Sequence, residues 1–128
     1  MLFDVFLAHP QFAERSRAAI RAARTEGSLI ACEAVWAEVI AGFAQERIAE
    51  EFLAQLGVEY WPLPQQAATL AGGAWRQYRR RGGRRERVLA DFLIGAHALH
   101  SADRLLTRDR GFYRTYFGQL VLFDPAPL

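Results

Sequence analysis

The chain has 128 residues, with 52% hydrophobic and 23% charged residues and a formal net charge of +2. That length fits one domain with a real core. No apolar run nears the ~20 residues that span a bilayer, and the start lacks a signal-peptide pattern, so a cytoplasmic protein without a membrane segment is expected. A single cysteine, Cys32, excludes an internal disulfide and, set in Leu29-Ile30-Ala31-Cys32, reads as a buried thiol.

Helical and strand signals alternate along the chain. Pro10 can open a helix that spaces Phe12, Ala19, Ile20 and Ala23 on one face until Gly27 ends it. Ser28 to Cys32 reads as a short buried strand, followed by helices over Glu33–Phe43 and Glu46–Leu56, the second stopped by Gly57. Val58 to Leu63 is β-rich and bounded by Gly57 and Pro64. Pro64 to about Arg80 is a long helix, and its Gly72-Gly73 pair is expected to serve close packing. A turn at Arg81-Gly82-Gly83-Arg84 leads to a helix over Glu86–Ser101. A strand over Arg104–Thr107, a short helix over Gly111–Phe117 and a strand over Leu120–Phe123 complete the reading. Strands separated by helices imply a parallel sheet with helices on both faces.

All sixteen basic residues are arginine, and seven of them fall between Arg76 and Arg87. With Trp75 and Tyr78 nearby, Arg79, Arg80, Arg81, Arg84 and Arg85 could grip phosphates and stack on bases. The alternative is a solvated helix end or a patch for an acidic protein.

Three acids carry the chemical argument. Asp91 sits among Val88, Leu89, Phe92, Leu93 and Ile94, where a packed helix would normally bear no charge. Asp109 follows Leu105-Leu106-Thr107-Arg108, where a strand stops. Ligands of parallel α/β sheets bind in the crevice at such strand ends. Glu38, in Ala37-Glu38-Val39, follows the first strand and shares a helix side with Ala34, Val35, Ala41 and Gly42, which leave room for an ion and its waters. Clustered carboxylates raise one another's pKa, and a hard divalent cation such as Mg²⁺ or Mn²⁺ relieves that repulsion. Such an ion would lower the pKa of a bound water for attack on a phosphodiester. Thr107 could add a hydroxyl to the ion's water shell.

Other residues point to no chemistry. His97 and His100, three apart on one helix, lack the further ligands of a zinc site. Neither Gly72-Gly73 nor Gly82-Gly83 has the strand and lysine of a phosphate loop. No serine lies in an elbow motif. Trp36, Trp61 and Trp75 are expected in the core or a dimer interface.

Together, LADFLIGAHALHSADRLLTRDRGFY and VWAEVIAGF resemble the PIN domain, and within it the VapC-type toxins of bacterial toxin–antitoxin pairs. The resemblance covers nearly the whole chain. It implies a three-layer αβα fold with a central parallel sheet and a Mg²⁺- or Mn²⁺-dependent endoribonuclease site of clustered acids. It also implies a homodimer, an RNA substrate, and inhibition by a small VapB-like antitoxin. Residue by residue, Glu38 matches the second acidic position, Asp91 the third and Asp109 the fourth, and Thr107 matches the hydroxyl residue two before the last acid.

The departure is at the start. Family members open with a short apolar strand ending in Asp-Thr or Asp-Ser, whereas this chain begins at MLFDVFLAHP, inside the following segment. The expectation is therefore one PIN domain over 1–128 that lacks its first, central strand, with Asp4 the only nearby acid for a metal. Three explanations stay open: a start downstream of the real one, Asp4 moved into the role after a deletion, or lost catalysis. A degenerate module that binds antitoxin or RNA without cleavage is the competing reading. DNA cleavage is a third, since no residue can be tied to a 2′-hydroxyl.

Overall fold

The computed structural model describes residues 13–83, 89–107 and 110–123. Its elements follow in chain order: α1 (Ala13–Glu26), β1 (Leu29–Ala31), α2 (Glu33–Ala41), α3 (Glu46–Leu56), β2 (Val58–Tyr60), α4 (Gln65–Arg80), α5 (Leu89–Ser101), β3 (Leu105–Leu106), α6 (Arg110–Tyr116) and β4 (Leu122–Phe123). The expected alternation holds, with strands shorter than their β-formers allowed. The stretch from Trp61 to Leu63 leaves the strand because two side chains hold it elsewhere. The Leu63 N–H donates to Glu33 Oε1 at 2.7 Å, and His97 Nε2 lies 2.8 Å from the Trp61 carbonyl. A carbonyl only accepts, so that nitrogen carries the proton.

α1 buries Ser16, Ala19 and Ile20. α3 is amphipathic, buries Ala49 and Leu53, and ends at Gly57, whose φ of 72° a side chain would strain. The main core lies between α4, α5 and α6. Ala67 and Ala71 of α4 are fully buried, and small residues there let α5 approach closely. Phe92 of α5 is 0% exposed, with ring centroids 5.5 Å from Tyr78 and 5.1 Å from Phe112. Complete burial of such a ring contributes roughly 1.5–3 kcal/mol.

The glycine that close packing requires is not where the sequence put it. A Cβ at Gly72 or Gly73 would meet nothing within 4 Å, whereas one at Gly95 would lie 2.6 Å from the Phe117 ring. Trp61 lies outside the core of the single chain: it is 45% exposed, and its indole N–H donates to Glu59 at 3.3 Å. Trp36 meets Tyr60 edge to face at 5.3 Å, and Trp75 packs on the main core.

Both strand pairs are parallel. β1 aligns Leu29, Ile30 and Ala31 with Val58, Glu59 and Tyr60 of β2, and β3 aligns Leu105 and Leu106 with Leu122 and Phe123 of β4. The pairs form separate two-stranded sheets among the described residues. An ion pair from Arg104 Nη1 to Glu26 Oε2 at 2.7 Å ties the segment before β3 to the segment before β1. Glu38 and Thr107, which follow β1 and β3 in the chain, line with both strands a cavity of about 320 Å³.

Candidate active site

Glu38 stands near the C-terminal end of α2, the helix that leaves β1 through Cys32. Its neighbour Val39 is 2% exposed and anchors the helix. Glu38 itself reaches solvent and lines the cavity at the strand-end side. Its carboxyl is nonetheless held above its ordinary value, first by partial desolvation and then by the charge of Asp91. The second cause bears on the site: acids remote in sequence are close enough in space to feel one another.

Asp91 belongs to the first turn of α5 and is half-buried. α5 packs on α2, which brings the two acids to one region. Ile94 and His97, farther along α5, line the same cavity as Glu38. The Tyr113 hydroxyl donates a long 3.5 Å hydrogen bond to the Asp91 carbonyl, tying α6 to the turn that carries the acid. No sequence signal marks Tyr113 for this, since it depends on where α6 docks. Thr107, next after β3, lines the cavity, and its backbone N–H donates to the Phe123 carbonyl at 3.0 Å.

Asp109 and Asp4, the remaining expected acids, lie outside the described residues, as do Arg84 and Arg85. Among the described residues no group of three or more metal-capable side chains assembles. What they bring together is the pair Glu38 and Asp91, with Thr107 on the same cavity as Glu38. This donor set, all oxygen and with one carboxyl pushed up by its neighbour's charge, suits a hard divalent cation, which would remove the repulsion. Histidine is not part of it: His97 is spent on Trp61, and the His100 ring bonds the neighbouring Ser101 hydroxyl at 3.3 Å.

Arg79, Arg80 and Arg81 are exposed at the end of α4 and the turn after it. The Arg79 guanidinium sits 4.9 Å from the Trp75 ring centroid. Because the Tyr78 ring packs at a tilt against Phe92, centroids 5.5 Å apart, this arginine end of α4 lies beside the α5 turn that holds Asp91. Exposed arginines and Asp91 thus lie near one another.

No described helix is long and apolar enough to cross a membrane. A search of curated proteins finds no match. Among solved structures, a chain from the crystal structure of VapBC2 from Rickettsia felis bound to a DNA fragment from their promoter has the same fold, with a TM-score of 0.69 at 15% sequence identity, covering 96% of this chain and 92% of that one. The family model for the PIN domain matches residues 2–118, and the chain accordingly belongs to the PIN domain family.

Proposed function

We propose that this chain is a Mg²⁺- or Mn²⁺-dependent endoribonuclease, the VapC-type toxin of a type II toxin–antitoxin pair, acting in the cytoplasm as a homodimer restrained by a VapB-like antitoxin. The observation that carries the reading is the coupling of Glu38 to Asp91 across α2 and α5, beside the ends of parallel strands. Glu38 and Asp91 would hold the ion, joined by Asp109 and, more weakly, by Asp4. When bound, the ion supplies positive charge that activates water and offsets charge on the scissile phosphate.

The chain's own residues have separable tasks. Asp91, fixed by the packing of α5 on α2 and by Tyr113 on its carbonyl, orients the acidic side of the site. Glu38, exposed at the cavity, would offer its carboxylate to the ion from the α2 side. Thr107 offers a hydroxyl that can donate to a phosphate oxygen or a water. Arg79, Arg80 and Arg81 hold the RNA backbone by charge, and Trp75 with Arg79 gives a base a surface to stack on.

The test is cleavage of structured RNA by purified protein with Mn²⁺. Asp91→Asn should lower the rate by roughly 100-fold or more, above the loss typical of an outer-shell partner, while circular dichroism stays that of the wild type. Equal cleavage by the variant ends the reading.

The competing reading is a module that binds antitoxin or RNA without cutting. Calorimetric titration with Mg²⁺ separates the two, since the module should show no binding that depends on Glu38 and Asp91.

A further inference from the structure

The segment that follows β2 runs between the two helices that carry the acids, and its composition makes it stiff. Proline restricts the residue before it to extended backbone, and in Trp61-Pro62-Leu63-Pro64 both Trp61 and Leu63 stand before one. Three elements grip this stretch within three residues. The Trp61 N–H donates to the Ala31 carbonyl at the end of β1 at 3.0 Å. The Trp61 carbonyl accepts from His97 Nε2 of α5 at 2.8 Å, and the Leu63 N–H donates to Glu33 Oε1 of α2 at 2.7 Å. A carboxylate acceptor makes the last of these a strong bond. Leu63 also packs against the main core, so the segment cannot slide without giving up that contact.

The grips lie close to the acids. Glu33 precedes Glu38 on α2 and His97 follows Asp91 on α5, at about 7.5 Å and about 9 Å along the two helices. Apolar packing fixes each acid separately. Val39, beside Glu38, lines the cavity, whereas Phe92, beside Asp91, belongs to the α4–α5–α6 core. The grip on residues 61–63 is common to both helices. We propose that residues 61–63 form a strap that sets the spacing of α2 and α5, with Glu33 and His97 as positioning residues for Glu38 and Asp91. Both act through the strap's backbone rather than at the reacting atoms. The strap stands by itself, and only its service to an ion rests on the nuclease reading.

Distances between spin labels on the intact, metal-free chain test the strap. Cys32→Ser removes the only native thiol, and Ala37→Cys on α2 with His100→Cys on α5 place labels at exposed positions. Adding Glu33→Ala should shift or broaden the distance distribution, and so should His97→Leu, which fills similar space without a donor. Glu33→Gln, whose amide oxygen still accepts from the Leu63 N–H, should keep the original distribution. Calorimetric titration of the unlabelled chain with Mg²⁺ then reads the effect on the acids. Glu33→Ala should weaken binding about tenfold, the lower end of the loss when a residue orienting a metal ligand is removed. Glu33→Gln should bind as wild type does. It lacks the same charge as Glu33→Ala, so its rescue excludes a simple loss of attraction for the cation. An unchanged label distance in Glu33→Ala or His97→Leu overturns the proposal. So does undiminished Mg²⁺ affinity in Glu33→Ala when wild type binds the ion, or an equal loss in Glu33→Ala and Glu33→Gln. A wild type that binds no Mg²⁺ defeats the nuclease reading instead, and the label distances alone then decide the strap.

Discussion

Desolvation and the charge of Asp91 both favour the protonated form of Glu38, and together they outweigh the one opposing charge. A carboxyl whose folded pKa is raised adds stability that is fully present below its unfolded value, near 4.5, and lost as pH rises through the raised value. In metal-free protein Glu38→Gln should therefore raise the melting temperature more at pH 7 than at pH 4. Calorimetry at both values checks this, and an equal change at the two would mean that Asp91 and burial do not act on Glu38. Mg²⁺ should reverse the ranking at pH 7, since the ion stabilises wild type and finds one carboxylate fewer in the variant.

At the scale of elements, the α4–α5–α6 core explains why the Asp91 turn is held firmly. Phe92 is the residue after Asp91, and its ring is enclosed by Tyr78, Phe112, Tyr116 and Phe117. One turn of the helix later, Gly95 lets the Phe117 ring lie against the backbone of α5. Phe117 is 4% exposed, so it has little freedom to withdraw. Gly95→Ala should accordingly destabilise the protein by about 1–3 kcal/mol, the usual cost of overpacking, although alanine is the better helix former. Urea unfolding measures it, and a variant as stable as wild type would mean that Phe117 can move aside. The same change at Gly72, where nothing lies within 4 Å of an added Cβ, should be neutral or stabilising.

Across the whole molecule, charge is unevenly placed. The arginine end of α4 adjoins the acidic turn of α5, so on the proposed reading RNA drawn to the first would pass the second. Replacing Arg79, Arg80 and Arg81 by alanine should weaken RNA binding and reduce the slope of log affinity against log salt by about 2, at ~0.7 per phosphate contact for single strands. Filter binding at several salt concentrations reads this directly. A slope equal to wild type would make the cluster ordinary solvated surface.

Local patterning made much of the fold legible. Glu46 to Leu56 is amphipathic and ends at a glycine that takes a positive φ, so propensity, periodicity and cap agree. Asp91 and Glu38 were legible as acids out of keeping with apolar neighbours. For Trp61 the sequence left core and dimer interface open, because a side chain's size says nothing about which way a loop anchored by Glu33 and His97 will face, and the fold excludes the core. Gly72-Gly73 misled for a related reason: a glycine in a helix shows only that close approach is allowed, and Gly95 is where a neighbouring ring uses it. The sequence by itself determined the order of elements and the arginine run at the end of α4, since these follow from period, cap and charge along a line. Only the tertiary structure decided that Glu38 and Asp91 influence each other and that β1 and β3 line one cavity. Both depend on how separate helices and strands dock, and docking is set by contacts between residues that the linear order keeps far apart.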